Sequence, residues 1–558
     1  MEIEKTSTLR AALSRTNQKL FDEDLEKIKG LKRAKKTALA IFNIIQQHPK
    51  ISVSEIVNLT HISKQAVSKC VKKLVALEIL CPMKKQPRYQ IYCYPRVLGT
   101  AKELYSNDLS NQNRSGCSIS FVGKEAAIAQ ALIPSKIRFN EDIRHNKKIY
   151  NKNSQNSLFV CDNIDLLKHL IKTKTKPYQL IFCDSPYNQK TARRKREYTD
   201  TFDEHSGYLK FMYPRLMLCK ELLDQNGLIV IAINEPEYAT TKIMCNEIFS
   251  ESNFLNSIVV ESGINAGIYS SHSDKFLADT KFYLLVFAKN RKNISLNRLY
   301  DLADKKFATE YNTIIHNDLK HEPLLEYLKR QKWVIDEFSA HELKLTLNNI
   351  DKLMYASQKF ENYIYETVAP LLYKPTIPFK AETYAKKAKN YSYNDVFLID
   401  DKPMLKTTND HLVEFKPYIN RLQENNGKKQ NTILRGTIWK NYQMFKNSVQ
   451  KEGDVQFEGK KNLRLLQDII YWINNKNARI LDIFAGSGST GHAVFAQNLK
   501  DGGNRTFCLC QIEESIQNTN DKSRKNTIDR QKTIPRLNNA IKETKTTAGY
   551  KIFRGIKT

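Results

Sequence analysis

Hydrophobic positions recur along this chain with two different periods. Between residues 31 and 80 they follow helical spacing. Leu39, Ile41, Phe42, Ile44 and Ile45 form one stripe that ends at Pro49. Ile56, Val57 and Leu59 form a second behind Ser54, and Val67, Val71 and Leu74 form a third behind Ser63, a residue suited to cap it. After Pro82 and Pro87 the run from Tyr89 to Tyr94 reads as a strand. Residues 97–145 have no strong period, include an Asn/Ser-rich patch at 106–118, and read as a linker with a helix or two. From about residue 150, apolar runs of strand length alternate with helical stretches, the pattern of an α/β sheet. Strands are predicted at Leu158–Cys161, Gln179–Cys183, Leu228–Ile233, Phe282–Ala288, Arg479–Ile483 and Phe507–Gln511. Residues 292–455, rich in Lys, Asn and Tyr, interrupt this alternation and read as an insertion between two halves of one sheet, 146–291 and 456–558.

Three helices followed by a β-wing is the layout of a winged helix-turn-helix, and residues 31–96 resemble the DNA-binding modules of many bacterial regulators. The segment carries thirteen Lys/Arg against Glu55 and Glu78. In such modules the third helix enters the major groove, which would present Lys64, Gln65, Ser68, Lys69 and Lys72 to DNA. The competing reading is a helical protein–protein module with a solvated basic face. Over all 558 residues the formal charge is +30, which favours a polyanionic partner, with nucleic acid the commonest. A hydrophobic share of 41 % excludes wholesale disorder. The longest uninterrupted apolar run, Phe282–Ala288, falls far short of the ~20 residues that span a bilayer, and MEIEKTSTLR lacks a signal peptide's apolar stretch. Ten cysteines without a CxxC pair exclude a zinc ribbon and point to a reduced, cytoplasmic compartment.

Two segments carry candidate chemistry. Glycine is scarce, 19 in all, yet Gly486, Gly488 and Gly491 follow an apolar strand and open a helical stretch. Such a turn brings backbone close to a nucleotide-type ligand, and no Lys-Ser/Thr follows it, so a phosphate-binding P-loop is excluded. The second segment, Leu180-Ile181-Phe182-Cys183-Asp184-Ser185-Pro186-Tyr187, delivers a carboxylate, a proline and an aromatic ring to the end of another apolar strand. These groups suit the orientation of an exocyclic amine, whose lone pair is delocalised into its ring. Asp184 and the Ser185 carbonyl can accept hydrogen bonds from the NH₂ group and make its nitrogen more sp³-like. Pro186 helps hold that carbonyl, and Tyr187 offers a face on which an extruded base can stack.

Asp482-Ile483-Phe484-Ala485-Gly486-Ser487-Gly488 resembles the S-adenosylmethionine-binding motif of DNA amino-methyltransferases. Asp184-Ser185-Pro186-Tyr187 resembles the Asp-Pro-Pro-Tyr motif of adenine-N6 methyltransferases, with Ser185 in the second position. Leu158 to Asn163 with Leu166-Leu167 resembles the family's Gly-Asp-Asn-Leu segment, Phe211 to Leu216 and Leu222 to Ile229 its next helix and strand, and Gly549 to Phe553 its C-terminal strand. Phe457-Glu458-Gly459-Lys460-Lys461 stands where Phe-x-x-Pro-Lys-Pro is usual, without either proline. The resemblance covers roughly 150–290 and 430–558 and is closest to the modification subunits of type III restriction systems. Its motif order, catalytic before cofactor, is that of the β group, in which the intervening segment recognises the DNA target.

The resemblance implies a Rossmann-like α/β sheet with helices on both faces, an N-terminal α+β winged helix, and a target-recognition insertion at 292–455. It implies S-adenosylmethionine held by Asp482, Phe484, Ala485, Gly486, Ser487 and Gly488, with Asp162 nearby and a ribose acceptor among Gln511, Glu513 and Glu514. It further implies double-stranded DNA as substrate, adenine N6 as acceptor, and no catalytic metal. A separate restriction subunit (helicase and nuclease) and a homodimer are the partners it suggests. Cytosine-N4 methylation is the nearest alternative, although cytosine enzymes more often carry Ser at position 184. A DNA-binding regulator whose catalytic domain has decayed is the other. All of this requires two strand tips far apart in sequence to meet.

Overall fold

An unbroken apolar run is what a parallel strand covered on both faces requires, and Tyr178–Asp184 and Leu223–Ile233 are such strands. They lie in a ten-stranded sheet in the computed structural model. That structure describes residues 118–188, 204–262, 280–379, 381–425, 427–440, 452–457, 459–516 and 526–557, together with Phe202, Tyr442 and parts of 37–93. In chain order the strands are β1 (Ile137–Glu141), β2 (Ser157–Val160), β3 (Tyr178–Asp184), β4 (Leu223–Ile233), β5 (Phe254–Glu261), β6 (Lys281–Ala288), β7 (Ile438–Trp439), β8 (Arg479–Asp482), β9 (Thr506–Gln511) and β10 (Lys551–Lys557). Their spatial order is β7-β5-β6-β4-β3-β8-β9-β2-β10-β1. The six strands from β4 to β10 in that order are parallel, while β6 and β1 join their neighbours β4 and β10 antiparallel. All six predicted strands are present in this sheet.

Side chains alternate between two buried faces. Cys508 and Cys510 of β9, Ile229 and Ile231 of β4 and Leu481 of β8 join one core with residues of α1 (Lys124–Leu132), α2 (Asn163–Lys172), α3 (His205–Leu222) and α4 (Glu235–Phe249). The cysteines are thus small buried apolar groups. The intervening residues point the other way, towards α6 (Ser489–Asp501). There the Phe507 ring meets that of Phe495 with centroids 5.2 Å apart. Helices α5 (Leu463–Trp472) and α7 (Ile534–Thr544) flank α6. Helices on both faces of a largely parallel sheet make this a Rossmann-like α/β fold.

The segment read as a linker, 97–145, contributes to this sheet over its described residues. Helix α1 packs Ala127, Ile128 and Ala131 into the core, and β1 forms the sheet's edge. The sheet therefore begins before residue 146.

The chain folds into two compact units, Met1–Asn297 with Thr437–Thr558, and Arg298–Gly436. The second unit, narrower than the predicted 292–455, has its own core around Phe307, Phe338, Leu353, Ile364 and Tyr418 and a six-stranded antiparallel sheet.

In the N-terminal segment, helix Lys64–Ala76 buries Val67, Val71 and Leu74, and Ser63 caps it by accepting from the Ala66 N–H at 3.4 Å. Strands Lys50–Ser52, Ile91–Cys93 and Cys81–Pro82 pair antiparallel in that order, as a wing requires. Leu39, Phe42, Ile44, Ile45, Ser54 and Leu59 lie outside the described residues. Among the described residues no helix is long and apolar enough to cross a membrane.

Gly491 lets α6 pack closely against its surroundings. A Cβ there would lie 2.5 Å from Leu537 Cδ2, 3.1 Å from Leu509 Cδ1 and 3.3 Å from Phe507 Cζ. Gly491→Ala is therefore expected to destabilise this unit by about 1–3 kcal/mol, measured by urea denaturation, because the buried neighbours must shift. An unchanged transition midpoint would contradict this packing.

Candidate active site

The two motifs meet on neighbouring strands. In the β3–β8 ladder Leu180, Ile181 and Phe182 pair with Ile480, Leu481 and Asp482. Asp184 and Asp482 thus emerge at the same, C-terminal edge, where an open α/β sheet gathers its ligands. Asp184 is half-buried and accepts from the Tyr187 hydroxyl through Oδ1 at 3.1 Å. Lys461 reaches both carboxylate oxygens, with Nζ 2.6 Å from Oδ1 and 2.7 Å from Oδ2. The same ammonium sits 4.9 Å from the Tyr187 ring centroid. Pro186 is half-buried. Ser185 is buried, and its hydroxyl donates to the Ala232 carbonyl on β4 at 3.0 Å.

Asp482 is buried and organises the glycine turn. Its Oδ1 accepts from the Phe484 N–H at 2.9 Å and its Oδ2 from the Thr490 hydroxyl at 2.5 Å. Gly486 and Gly488 adopt φ of 52° and 83°, left-handed values that other residues reach only with strain. Each residue of the turn is held. Ala485 N–H donates to the Cys510 carbonyl, Thr533 donates to the Gly486 carbonyl, and the buried Arg536 donates to the Ser487 hydroxyl. Phe457 lies against Gly486, 3.4 Å from where its Cβ would stand. Residues 457 and 461 therefore touch one motif each: Phe457 the glycine turn, Lys461 the carboxylate of Asp184.

The other predicted residues have structural partners at this edge. Gln511 Oε1 accepts from the Gly486 N–H at 2.8 Å, so this amide braces the turn. Glu513 is exposed and lies 3.7 Å from Arg530 and 3.8 Å from Arg554, while Glu514 is half-buried. Asp162 caps α2 through the Ile164 N–H at 3.0 Å and pairs with Arg215 at 2.8 Å. Arg215 stacks on Phe211, whose ring lies 6.0 Å from that of Phe484. On helix Lys64–Ala76, Lys64, Gln65, Lys69 and Lys72 are exposed and Ser68 is half-buried, opposite its apolar stripe. Lys461 and Arg215 were not singled out from the sequence. The place of Lys461 in the Phe-x-x-Pro-Lys-Pro-like stretch was the one available signal.

The family model described as DNA methylase matches residues 178–522, more than half of the chain. This chain belongs to the DNA methylase family. A winged helix-turn-helix DNA-binding model also matches, over residues 35–80 of the methylase. The methylase is 26 % identical to the Mod subunit of the type III restriction-modification enzyme EcoPI of Escherichia phage P1, over 73 % of this chain and 65 % of that protein. It is 29 % identical to the StyLTI Mod subunit of Salmonella typhimurium, over 74 % of this chain and 61 % of that protein. With the type II methyltransferase M.KpnI of Klebsiella pneumoniae it shares 26 % identity over 69 % of this chain and 87 % of that protein. The methylase thus spans under two thirds of the length of these Mod subunits.

Electrostatics at the strand tips are unusual. Burial, reinforced by the charge of Asp184, pushes the Asp482 carboxyl up to about 7, against the pull of Thr490, the Phe484 N–H and Lys461. Its folded pKa lies above its ordinary value of 3.8, so the native methylase holds a proton that the unfolded chain releases. Asp482 therefore favours folding fully below about pH 4, and that contribution is lost as pH rises through about 7. Relative to Asp482→Asn, which keeps the shape without the charge, the wild type should lose stability between these values with a slope of up to about 1.4 kcal/mol per pH unit. Urea denaturation of both proteins from pH 4.5 to 7.5 measures it; a difference independent of pH would contradict a buried titrating carboxyl.

Proposed function

We propose that this methylase is a site-specific DNA methyltransferase that transfers a methyl group from S-adenosylmethionine to adenine N6 as part of a restriction-modification system. The observation that carries this reading is the meeting of Asp184, Tyr187 and the Asp482–Gly488 turn at one edge of the sheet. The turn suits the cofactor: its glycine backbone permits close approach, Phe484 offers an aromatic face, and Asp482 holds the turn's shape through the Phe484 N–H and Thr490. Bound there by Asp482, Phe484, Ala485, Gly486, Ser487 and Gly488, S-adenosylmethionine supplies an electrophilic methyl group.

The chain's own residues prepare the acceptor. Basic surfaces of the winged helix, with Lys64, Gln65, Ser68, Lys69 and Lys72, hold the DNA phosphates and major groove. The target adenine leaves the stack and packs against the Tyr187 ring. Asp184 and the Ser185 carbonyl accept hydrogen bonds from its amine, which turns the nitrogen lone pair away from the ring. Lys461 holds the Asp184 carboxylate in one orientation before the base arrives, so positioning costs little at the moment of reaction. The amine itself is the nucleophile, and no covalent enzyme–base intermediate is needed. Residues 298–436 serve as target-recognition region in this reading. Relatives named as Mod subunits support a separate restriction subunit as partner, and a homodimer is the assembly we infer.

Methylation-sensitive sequencing of DNA from cells expressing the wild type or Asp184→Ala tests this reading. Wild-type cells should carry N6-methyladenine at one sequence context. The variant should leave that mark at least 10³-fold rarer while still binding DNA and cofactor. N4-methylcytosine would instead assign the cytosine reaction. Absence of any mark from wild-type cells, with DNA binding retained, would favour a decayed regulator.

A further inference from the structure

The loop that carries the Asp184–Tyr187 motif leaves the sheet through Asn188, and this residue has an unusual environment. Asn188 is 3 % exposed and adopts φ of 53°, in the left-handed region. Its side-chain amide makes two bonds of opposite sense. Nδ2 donates to Oε1 of Glu237 at 2.6 Å, and Oδ1 accepts from the Phe202 N–H at 2.8 Å, fourteen residues further along. Glu237, on α4, is fully buried. Besides Asn188 it accepts from His205 Nδ1 at 2.8 Å and from the Thr240 hydroxyl at 2.7 Å.

A buried carboxylate persists only where charge-assisted hydrogen bonds offset its desolvation, and here every donor but one comes from outside its own helix. Those donors are Asn188, at the exit of the catalytic loop, and His205, at the start of α3, while Asn188 in turn holds the Phe202 N–H. One carboxylate thus ties the exit of the catalytic loop to two other elements. Ser185, three positions before Asn188, is tied separately to β4 through Ala232. Tyr187 and the Ser185 carbonyl lie between these two tethers.

We propose that Glu237 and Asn188 form a clamp that positions the Ser185 carbonyl and the Tyr187 ring for the target base. Neither residue touches the reacting atoms; both are positioning residues. This rests on the methyltransferase reading above and assigns its loop a holding device. Physically, an acceptor displaced by about 1 Å loses much of its effect on a reacting amine, with a cost near 10²-fold in rate. The clamp therefore acts on the chemical step more than on ligand affinity.

Asn188→Gly isolates the side chain, because glycine keeps the left-handed backbone at no strain. The assay is tritiated methyl transfer from S-adenosylmethionine to a duplex bearing the site found by sequencing. Expected for Asn188→Gly is a 10- to 100-fold lower kcat, with cofactor and DNA Kd changed less than threefold and the native circular dichroism spectrum kept at the assay temperature, although the urea midpoint falls as a buried carboxylate loses one donor. With 2-aminopurine at the target position, its emission on binding should differ from that of the wild-type complex, since the ring's stacking partner has moved. Asn188→Asp sets two carboxylates at hydrogen-bond distance and should be at least as impaired. Adding Glu237→Gln to it reverses the polarity of the bond, with the new amide donating to the new carboxylate and to His205 Nδ1 in its other neutral tautomer, and should restore kcat to within about fivefold of wild type.

A kcat for Asn188→Gly within twofold of wild type would overturn the clamp and leave the methyltransferase reading intact. So would a loss of cofactor binding and of the native circular dichroism spectrum in step with kcat, because the amide would then only support the fold. Failure of the double variant to recover, with its fold intact, would overturn the direct bond as the basis of positioning. A wild type inactive in this assay would overturn the methyltransferase reading itself, and the clamp with it.

Discussion

Everything at this site depends on the parallel pairing of β3 with β8. Three register pairs join segments about three hundred residues apart in sequence and set Asp184 and Asp482 at one edge. Backbone hydrogen bonds in a sheet do not depend on the order in which strands are synthesised, so a catalytic half that precedes a cofactor half can form the same edge as the reverse arrangement. The unit Arg298–Gly436 lies between β6 and β7 in sequence and has its own core.

That pairing creates an electrostatic problem and the chain solves it locally. Two carboxyl groups emerge on neighbouring strand tips, one of them fully buried, and the charge of Asp184 opposes ionisation of Asp482. Lys461 lies against both oxygens of Asp184, and its charge also lowers the cost of ionising Asp482. An ion pair this enclosed contributes little net stability after desolvation, so it is better understood as a constraint on the geometry of Asp184 than as a support of the fold. The segment that supplies Lys461 also supplies Phe457, packed on the glycine turn. One short stretch of chain therefore touches both the glycine turn and the Asp184 motif, although it lacks the two prolines of the sequence pattern it resembles.

Central strands were legible because burial on both faces demands continuous apolar runs, and all six such runs were identifiable. The strands near the sheet's margins were not. Ile137–Glu141, at one edge, reads IRFNE, and Phe254–Glu261, second from the other edge, reads FLNSIVVE, mixed patterns that a partly exposed strand shares with a loop. The two chemical motifs were readable because each concentrates rare residue types at a strand end. The residues that support them were not, because their meaning comes from long-range contacts. Lys461 meets Asp184 across 277 residues, Arg215 meets Asp162 across 53, and Gln511 turns inward to the Gly486 N–H, a use that no local pattern distinguishes from ribose binding.

Ser185 illustrates how such contacts change the reading of a substitution. In the sequence it is a lost proline, and a stiffer loop would favour the family's residue by about 0.4–1 kcal/mol through the entropy of the unfolded chain. In the fold its hydroxyl is buried and donates to the Ala232 carbonyl at 3.0 Å. A satisfied buried hydrogen bond contributes about 0.5–1.5 kcal/mol. The two terms are of the same size. The tether holds residue 185 against β4 in the folded state, whereas proline would restrict the same residue chiefly by limiting the alternatives. Both residues present the same backbone carbonyl, so serine here is a different means of stiffening the loop.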